Sequence, residues 1–540
     1  MSKDYFQSKE FKDLLASYEH RKEKDRSIYF DAEDFADIAD YYLINERPKQ
    51  AMEAIEMGLQ IHPDEEVLLI VKSATFIYQR QFDKARAIVN ELDADNNSDV
   101  KYQVAQLEYA QRGNVTRAEK IWREWMRETC DGAPTEAQKR ESYIHIISSI
   151  LELHSNGQYG MKDWEKTCAR QWIQEYIDVF KPLGKYEEDV QLIEICRENE
   201  LADLMCEVLT QVLVEQPYLN KGWTQLALAQ CIIQRYDQAL ESCDFALAIN
   251  PNDMDALLTK AHTYHAIGEY ALAKPCFKEY LDNGGDAVQA IPYAEVLFAE
   301  GLKKEALREL EWLTNSLENN RKKASKRWHS VQRRKISDEE LEEEQSIYES
   351  TLDLYKTTLS EISDFYHQKG CYEQGVNINK RLLKVDPRNS EAFFMLGMNY
   401  LAMQQYEDSA RYFAMALQFA RDQVMMGLDI ALTFVLNDFD QFGLDVLNAI
   451  SQIAAHSQSP FVKNIPAAKS LTYLKMGKTD LFLTNFKEAC RKTPDIIRRV
   501  YENYFPVNMP VSQWGDYAEK EIGTLVNKFK KDNLHFEGFS

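Results

Sequence analysis

The chain has 540 residues and a formal net charge of −23, with 87 Asp and Glu against 64 Lys and Arg. That carboxylate excess disfavours a nucleic-acid partner for the chain as a whole, since phosphates are repelled outside any local basic patch, and it leaves basic partners open. A hydrophobic fraction of 45% with only 20 Gly and 14 Pro supplies a large core and excludes long glycine- or proline-rich linkers. The opening MSKDYFQSKEF lacks the apolar run of a secretory signal, and no 18-residue apolar stretch is present, so the expectation is a cytoplasmic protein with no membrane segment. Nine cysteines (Cys130, Cys168, Cys196, Cys206, Cys231, Cys243, Cys276, Cys371 and Cys490) are scattered without metal-type spacing, which fits a reducing compartment.

Taken in order, residues 1–31 read as a polar helical lead-in. A recurrent frame of about 34 residues then begins at Ala32 (Phe35, Ile38, Ala39, Tyr42, Ala51, Ile55, Pro63) and repeats from Glu66 and Asp99, covering 32–131. Between 132 and 185 the period loosens, although YIHIISSILEL and EKTCARQWIQEYIDVF still read as helices around the loop HSNGQYGMKD. Frames resume at Tyr186 and run to 320. With Asn220 as slot 1, Trp223 falls at slot 4, Leu226 and Ala227 at 7 and 8, Ala239 at 20, Ala246 at 27 and Pro251 at 32. The frames from Met254 (Leu257, Ala261, Tyr264, Gly268, Tyr270, Ala273, Phe277) and Ala287 (Tyr293, Ala294, Leu297, Gly301, Ala306) keep the register. At 321–355 a basic block, RKKASKRWHSVQRRK, is followed directly by an acidic one, ISDEELEEEQ, read as a charged helical hairpin. Four more frames start at Lys356, Ser390, Val424 and Lys463, over 356–496; at 497–540 a capping helix (Trp514, Ala518, Ile522, Val526, Phe529) and a tail close the chain.

The physics of the frame is a helical hairpin. Small residues at slots 8 and 20 let two antiparallel helices approach, large apolar residues at 4, 7, 11, 24 and 27 fill the space beside them, and Gly near slot 15 and Pro at slot 32 stop the helices. One hairpin cannot bury its own apolar face, so neighbours must stack. The slots resemble the tetratricopeptide repeat, whose Trp, Leu-Gly, Tyr, Ala, Phe and Pro order has this length. The likeness is to multi-repeat bacterial members of that family. It implies an all-α, tetratricopeptide-like helical-hairpin solenoid winding as a right-handed superhelix, of about 11–12 repeats with the charged hairpin inserted.

The resemblance implies a non-catalytic adaptor or scaffold that holds a protein or peptide partner in a groove faced by slots 2, 5, 9 and 12 of each first helix. Glu33, Ala36, Asp40 and Leu43, then Asp255, Leu258, His262 and His265, occupy those slots where chaperone-binding members carry a basic carboxylate clamp, and Lys221 is a lone basic residue in its frame. The later frames are apolar there, giving a candidate partner site of Phe394, Met398, Leu401, Met425, Leu428, Leu432, Val435, Leu471 and Leu474. The competing reading is that tight winding, or the chain's own tail, buries this face. Trp328 and His329 among basic residues invite a polyanion reading of 321–335, against which the adjoining acids supply neutralisation.

No P-loop, dinucleotide glycine fingerprint, GxSxG or HExxH is present, so neither a catalytic residue, a cofactor nor a metal is expected. Two alternatives stay open. One is a regulatory or sensory subunit binding a small ligand or peptide signal between two halves joined at the charged hairpin. The other is an enzyme with its site in 132–185, around His145 or His154.

Overall fold

The computed structural model describes residues 5–6, 8–24, 30–45, 47–94, 97–110, 115–128, 135–155, 163–181, 183, 186–333 and 338–531. Among them every regular element is a helix, and the helices pack in consecutive antiparallel pairs. Two compact units divide the chain, Met1–Asn283 and Gly284–Ser540. The division precedes the charged segment rather than falling at it, because the long helices of that segment are themselves members of packed pairs.

Unit 1 opens with α1 (Lys9–Lys24), whose Phe11 and Tyr18 are buried, Tyr18 edge-on to Phe30 and Phe35. The first hairpins are α2 and α3 (Ala32–Ile44, Pro48–Ile61), α4 and α5 (Glu66–Tyr78, Phe82–Val89), and α6 and α7 (Ser98–Ala110, Val115–Glu128). The loosely periodic stretch is a longer hairpin, α8 and α9 (Glu136–Ser155, Asp163–Val179). Then come α10 and α11 (Tyr186–Glu198, Ala202–Glu215), α12 and α13 (Asn220–Ile232, Tyr236–Ile249), and α14 and α15 (Met254–Ala266, Tyr270–Asp282).

Unit 2 holds α16 and α17 (Ala290–Ala299, Lys303–Val331), α18 and α19 (Asp338–Gln368, Tyr372–Val385), and α20 and α21 (Ser390–Ala402, Tyr406–Phe419). Next are α22 and α23 (Gln423–Leu436, Asp440–Ala454) and α24 and α25 (Ile465–Lys475, Thr479–Lys492). The end is not one capping helix but three short ones, α26 (Pro494–Tyr501), α27 (Val511–Lys520) and α28 (Ile522–Lys531). The expected single helix breaks at Glu521, and Phe505, Trp514 and Phe486 stack to close the core beneath it.

The hairpins share one turn. Slot 15 is left-handed in nine of them: at Gly268, Gly301, Gly370 and Gly477, but also at Arg80, Glu200, Gln234, Gln404 and Asp438. The amide after it bonds back to the carbonyl at slot 11, as in Glu269 N to Tyr264 O at 2.9 Å and Gln405 N to Tyr400 O at 2.9 Å, the closing bond of a Schellman-type helix end. A side chain there sits in a region that disfavours a Cβ by about 1–2 kcal/mol. Gln404→Gly is therefore expected to stabilise its hairpin by about 0.5–1 kcal/mol and Gly268→Ala to weaken its own by a similar amount, read by urea unfolding.

The close approach at slots 8 and 20 is equally regular. Ala39, Ala227, Ala261, Ala294 and Ala431 on first helices, and Ala51, Ala85, Ala239, Ala273 and Ala306 on second helices, are fully buried. Where serine replaces alanine, the hydroxyl is satisfied inside the hairpin: Ser409 donates to the Gly397 carbonyl at 2.8 Å. Starts are fixed by caps such as Asp31 with Asp34, Asp253 on the Ala256 amide and Asn389 on the Ala392 amide.

Candidate protein-interaction surfaces

Successive hairpins meet chiefly where the second helix of one packs on the first helix of the next, and their first helices also lie side by side, with α12 beside α14 in unit 1 and α18 beside α20 and α22 beside α24 in unit 2. This row carries slots 2, 5, 9 and 12. The apolar residues expected to form a groove on the unit 2 row are mostly core: Leu401, Leu428, Leu432, Val435, Leu471 and Leu474 are buried, Phe394 and Met398 are half-buried, and only Met425 is exposed. The covering is mutual, since Leu428, Leu432 and Val435 of α22 pack in one cluster with Ile465, Ala468 and Leu471 of α24.

On unit 1 the row is more open. Leu228 and Ile232, four apart on α12, are 40% and 59% exposed, and Ile267 at the end of the neighbouring α14 is 39% exposed. Lys221 and Asp255 are exposed on the same two helices, and His262 and His265 lie edge-on to Phe277 at 5.1 and 6.5 Å. The result is a small apolar strip bordered by polar and charged groups, a composition typical of recognition surfaces. Reading the Asn220 frame for basic residues stops at Lys221 and passes over Leu228 at slot 9.

Acidic groups also stand on first helices within each unit. Glu361, Asp364 and Glu391 are exposed on α18 and α20; burial, then the Glu391 and Glu361 charges, push the Asp364 carboxyl up, while His367 pulls it down. Burial raises Asp40 on α2 and Asp429 on α22 to about 6. Such desolvated carboxylates would regain favourable energy from a cationic partner.

Within the irregular hairpin, Arg140 of α8 reaches a fully buried acid. Its guanidinium donates to Asp189 of α10, to the Tyr176 hydroxyl at 2.9 Å and to Glu136 at 2.9 Å, and lies 4.5 Å from the Phe180 ring centre. Tyr176 donates to Asp189 at 2.7 Å. This network ties two hairpins together. His145 is exposed with its ring 3.8 Å from Glu141, whereas the His154 side chain and loop residues 156–162 lie outside the described residues. Among the described residues no group of three His, Cys, Asp or Glu could hold a metal, and no helix is long and apolar enough to cross a membrane. The eight described cysteines are free, and burial pushes the Cys196 and Cys243 thiols up to about 12, where they are poor nucleophiles.

The described part of the basic block, 321–333, lies on the end of α17 and the turn after it, and that of the acidic block, 338–345, opens α18. Arg327 pairs with Glu344 across them, Trp328 stacks on Tyr348 at 6.3 Å and 10°, and Arg321 lies over Tyr355 at 5.3 Å. Against burial, which would raise it, hydrogen bonds from Arg321, Tyr355 and Lys322 hold the Glu318 carboxyl down at about 2.

Hairpins built mostly of 13- to 14-residue helices, closed by one turn and stacked on one another in chain order, define an all-α solenoid. The tetratricopeptide repeat model matches residues 255–282, the hairpin of α14 and α15 in the frame that begins at Met254, so the chain carries a tetratricopeptide repeat there. A comparison with curated proteins finds no match. Among solved structures the chain is similar to YrrB, described as a TPR protein with an unusual peptide-binding site, at 17% identity, with 41% of this chain and 96% of that one covered and a TM-score of 0.28. The C-terminal part of a TPR repeat-containing protein from Cytophaga hutchinsonii is 13% identical over 50% and 96% of the two chains, TM-score 0.31. The APC/C hetero-tetramer Cut9–Hcn1 gives 11% identity over 91% and 92%, TM-score 0.26.

Proposed function

We propose that this protein is a non-catalytic scaffold that holds a protein or peptide segment against the first-helix row of unit 1. The observation that carries the reading is the exposure of Leu228, at slot 9 where the family presents its groove, together with Ile232 and Ile267 at slots 13 and 14, at the ends of the same two adjacent first helices. Isolated apolar side chains are ordinary on a surface; three on two neighbouring first helices, bordered by charge, supply apolar anchors with a polar rim. The exposed Asp255 on α14 favours a partner segment with a basic residue beside its apolar anchors. Of the nine apolar positions singled out on the unit 2 row, Met425, Phe394 and Met398 are the ones left accessible to a partner, so unit 1 is the better site.

The test is affinity capture with the full chain and two variants, each checked by thermal melting. Leu228→Glu/Ile232→Glu is expected to melt as the wild type does and to lose a near-stoichiometric partner, with binding weakened at least about tenfold. Leu428→Glu/Leu432→Glu is expected to unfold its part of unit 2, because each carboxylate would be buried without a counter-charge. Retention of the partner by the first variant would move the site off this strip.

A further inference from the structure

We propose that the arm formed by the end of α17 and the start of α18 is a self-association element, through which two copies of the chain dock arm to arm. The basic ridge of each copy lies against the acidic ridge of the other.

The arm has no structural work within its own chain beyond its own seam. α17 and α18 run for 29 and 31 residues where neighbouring repeats use 13 or 14. From Glu318 through Leu354 no described side chain is buried, whereas burial resumes on either side at Leu317 and Tyr355. What holds the arm together is a single seam: Trp328 on Tyr348, Arg327 with Glu344, and Arg321 over Tyr355. Two helices sharing one narrow seam gain little from propensity alone and depend on further packing.

The charges are sorted in a way that makes the arm its own complement. Between Glu318 and Tyr355 there are eight Lys and Arg and nine Asp and Glu, close to balance in a chain with 64 against 87. Lys322, Lys326 and His329 fall at i, i+4 and i+7 on one face of α17, with Arg333 in the turn just beyond its end; on α18, Glu342, Ser346, Glu349 and Asp353 fall at i, i+4, i+7 and i+11, one face of that helix. Each ridge is therefore about 16 Å long, and the two match in length. Both are exposed. Among the described residues Lys323, Lys326 and Arg333 have no ion pair, and Lys322 is engaged only by Glu318 of its own helix, at 3.1 Å. Ile347 and Leu354, one heptad apart on α18, are 40% and 49% exposed and add apolar area beside the acidic ridge.

A two-fold axis uses all of this at once. In an isologous pair whatever α17 of one copy makes with α18 of the other is made a second time in reverse, so one basic and one acidic ridge per chain suffice to satisfy four. A phosphate polymer would satisfy only the basic ridge, next to nine carboxylates on a chain of net charge −23. A second copy carries the matching pattern by construction.

The experiment is light scattering of the full-length chain with charge-reversed arms, at about 0.05 M and about 0.5 M salt. Wild type is expected at twice 62.9 kDa in low salt and at 62.9 kDa in high salt. Lys326→Glu/Arg333→Glu alone and Glu342→Lys/Glu349→Lys alone are expected to be monomers with unchanged melting. Mixed in equal amounts, they are expected to return to the doubled mass, because a net acidic arm then faces a net basic one. Wild type that stays at 62.9 kDa in low salt, a single variant that stays dimeric, or a mixture that stays monomeric overturns the proposal. So does a monomeric wild type that binds single-stranded DNA through the basic ridge.

Discussion

Replacing Arg140 with methionine is expected to cost unit 1 about 3–5 kcal/mol, the usual penalty for removing one partner of a buried ion pair. Arg140 and Asp189 are 8% and 0% exposed at the side chain, and the second carboxylate oxygen of Asp189 already has no hydrogen-bond partner. Without the guanidinium only Tyr176 remains to hold the acid. The pH dependence follows from the sign of the shift. Burial already pushes the Asp189 carboxyl up, opposed by Tyr176 and Arg140, so removing the arginine raises it further. An acid whose folded pKa is raised binds a proton more readily folded than unfolded, so stability falls as pH rises from the ordinary carboxylate range toward the folded value. Arg140→Met should therefore be less damaging at pH 5 than at pH 8, whereas Asp189→Asn should show no such slope. Arg140→Met/Asp189→Leu should cost less than Arg140→Met alone, because no charge is left buried. Repeat arrays need not unfold in one step, so hydrogen exchange of α8 to α11, with α20 to α23 as internal reference, is the measurement.

The hairpins were legible because their causes are local. Alanine, serine or glycine at slots 8 and 20 reports a close helix crossing, and Gly268, Gly301 and Gly370 report a left-handed turn; both are written within one 34-residue frame. The same turn at Gln234, Gln404 and Asp438 gives no signal, since the fixed back-bond geometry holds a side chain there against its preference. Which first-helix faces stay open was not legible. Leu432 and Leu228 both occupy slot 9 of a first helix, yet Leu432 packs in one cluster with Ile465 and Leu471 of the next hairpin and is buried, whereas Leu228 is exposed. That difference lies in the neighbour's side chains and approach, more than thirty residues away. The charged segment was legible as two helices, but its separation from the rest of the stack was not, because it consists in the exposure of the described side chains from Glu318 to Leu354, which no local pattern encodes.

Gly443→Val is expected to disrupt the hairpin of α22 and α23 by about 3 kcal/mol or more, and even Gly443→Ala by about 1–2 kcal/mol, although alanine favours a helix over glycine by about 1 kcal/mol. A Cβ at Gly443 would stand 2.8 Å from the Ala431 carbonyl oxygen and 2.5 Å from a Val435 methyl. The first obstacle is backbone of the facing helix, so relief requires the two helices to part rather than a rotamer to turn. Gly427 is a second tight crossing. Its added Cβ would meet Ile450 Cγ2 at 2.3 Å, a methyl held by the stiff χ1 of a fully buried β-branched residue in a helix, so Gly427→Ala should also destabilise, by about 1–2 kcal/mol. Gly523, with nothing within 4 Å, should accept alanine with a gain of up to about 1 kcal/mol. Since Leu428 and Leu432 of α22 are packed against α24, parting α22 from α23 should also raise hydrogen exchange in α24, while exchange in α16 stays at its wild-type rate. Equal exchange in α24 of Gly443→Val and wild type would mean that the hairpins of unit 2 are stabilised independently of their neighbours.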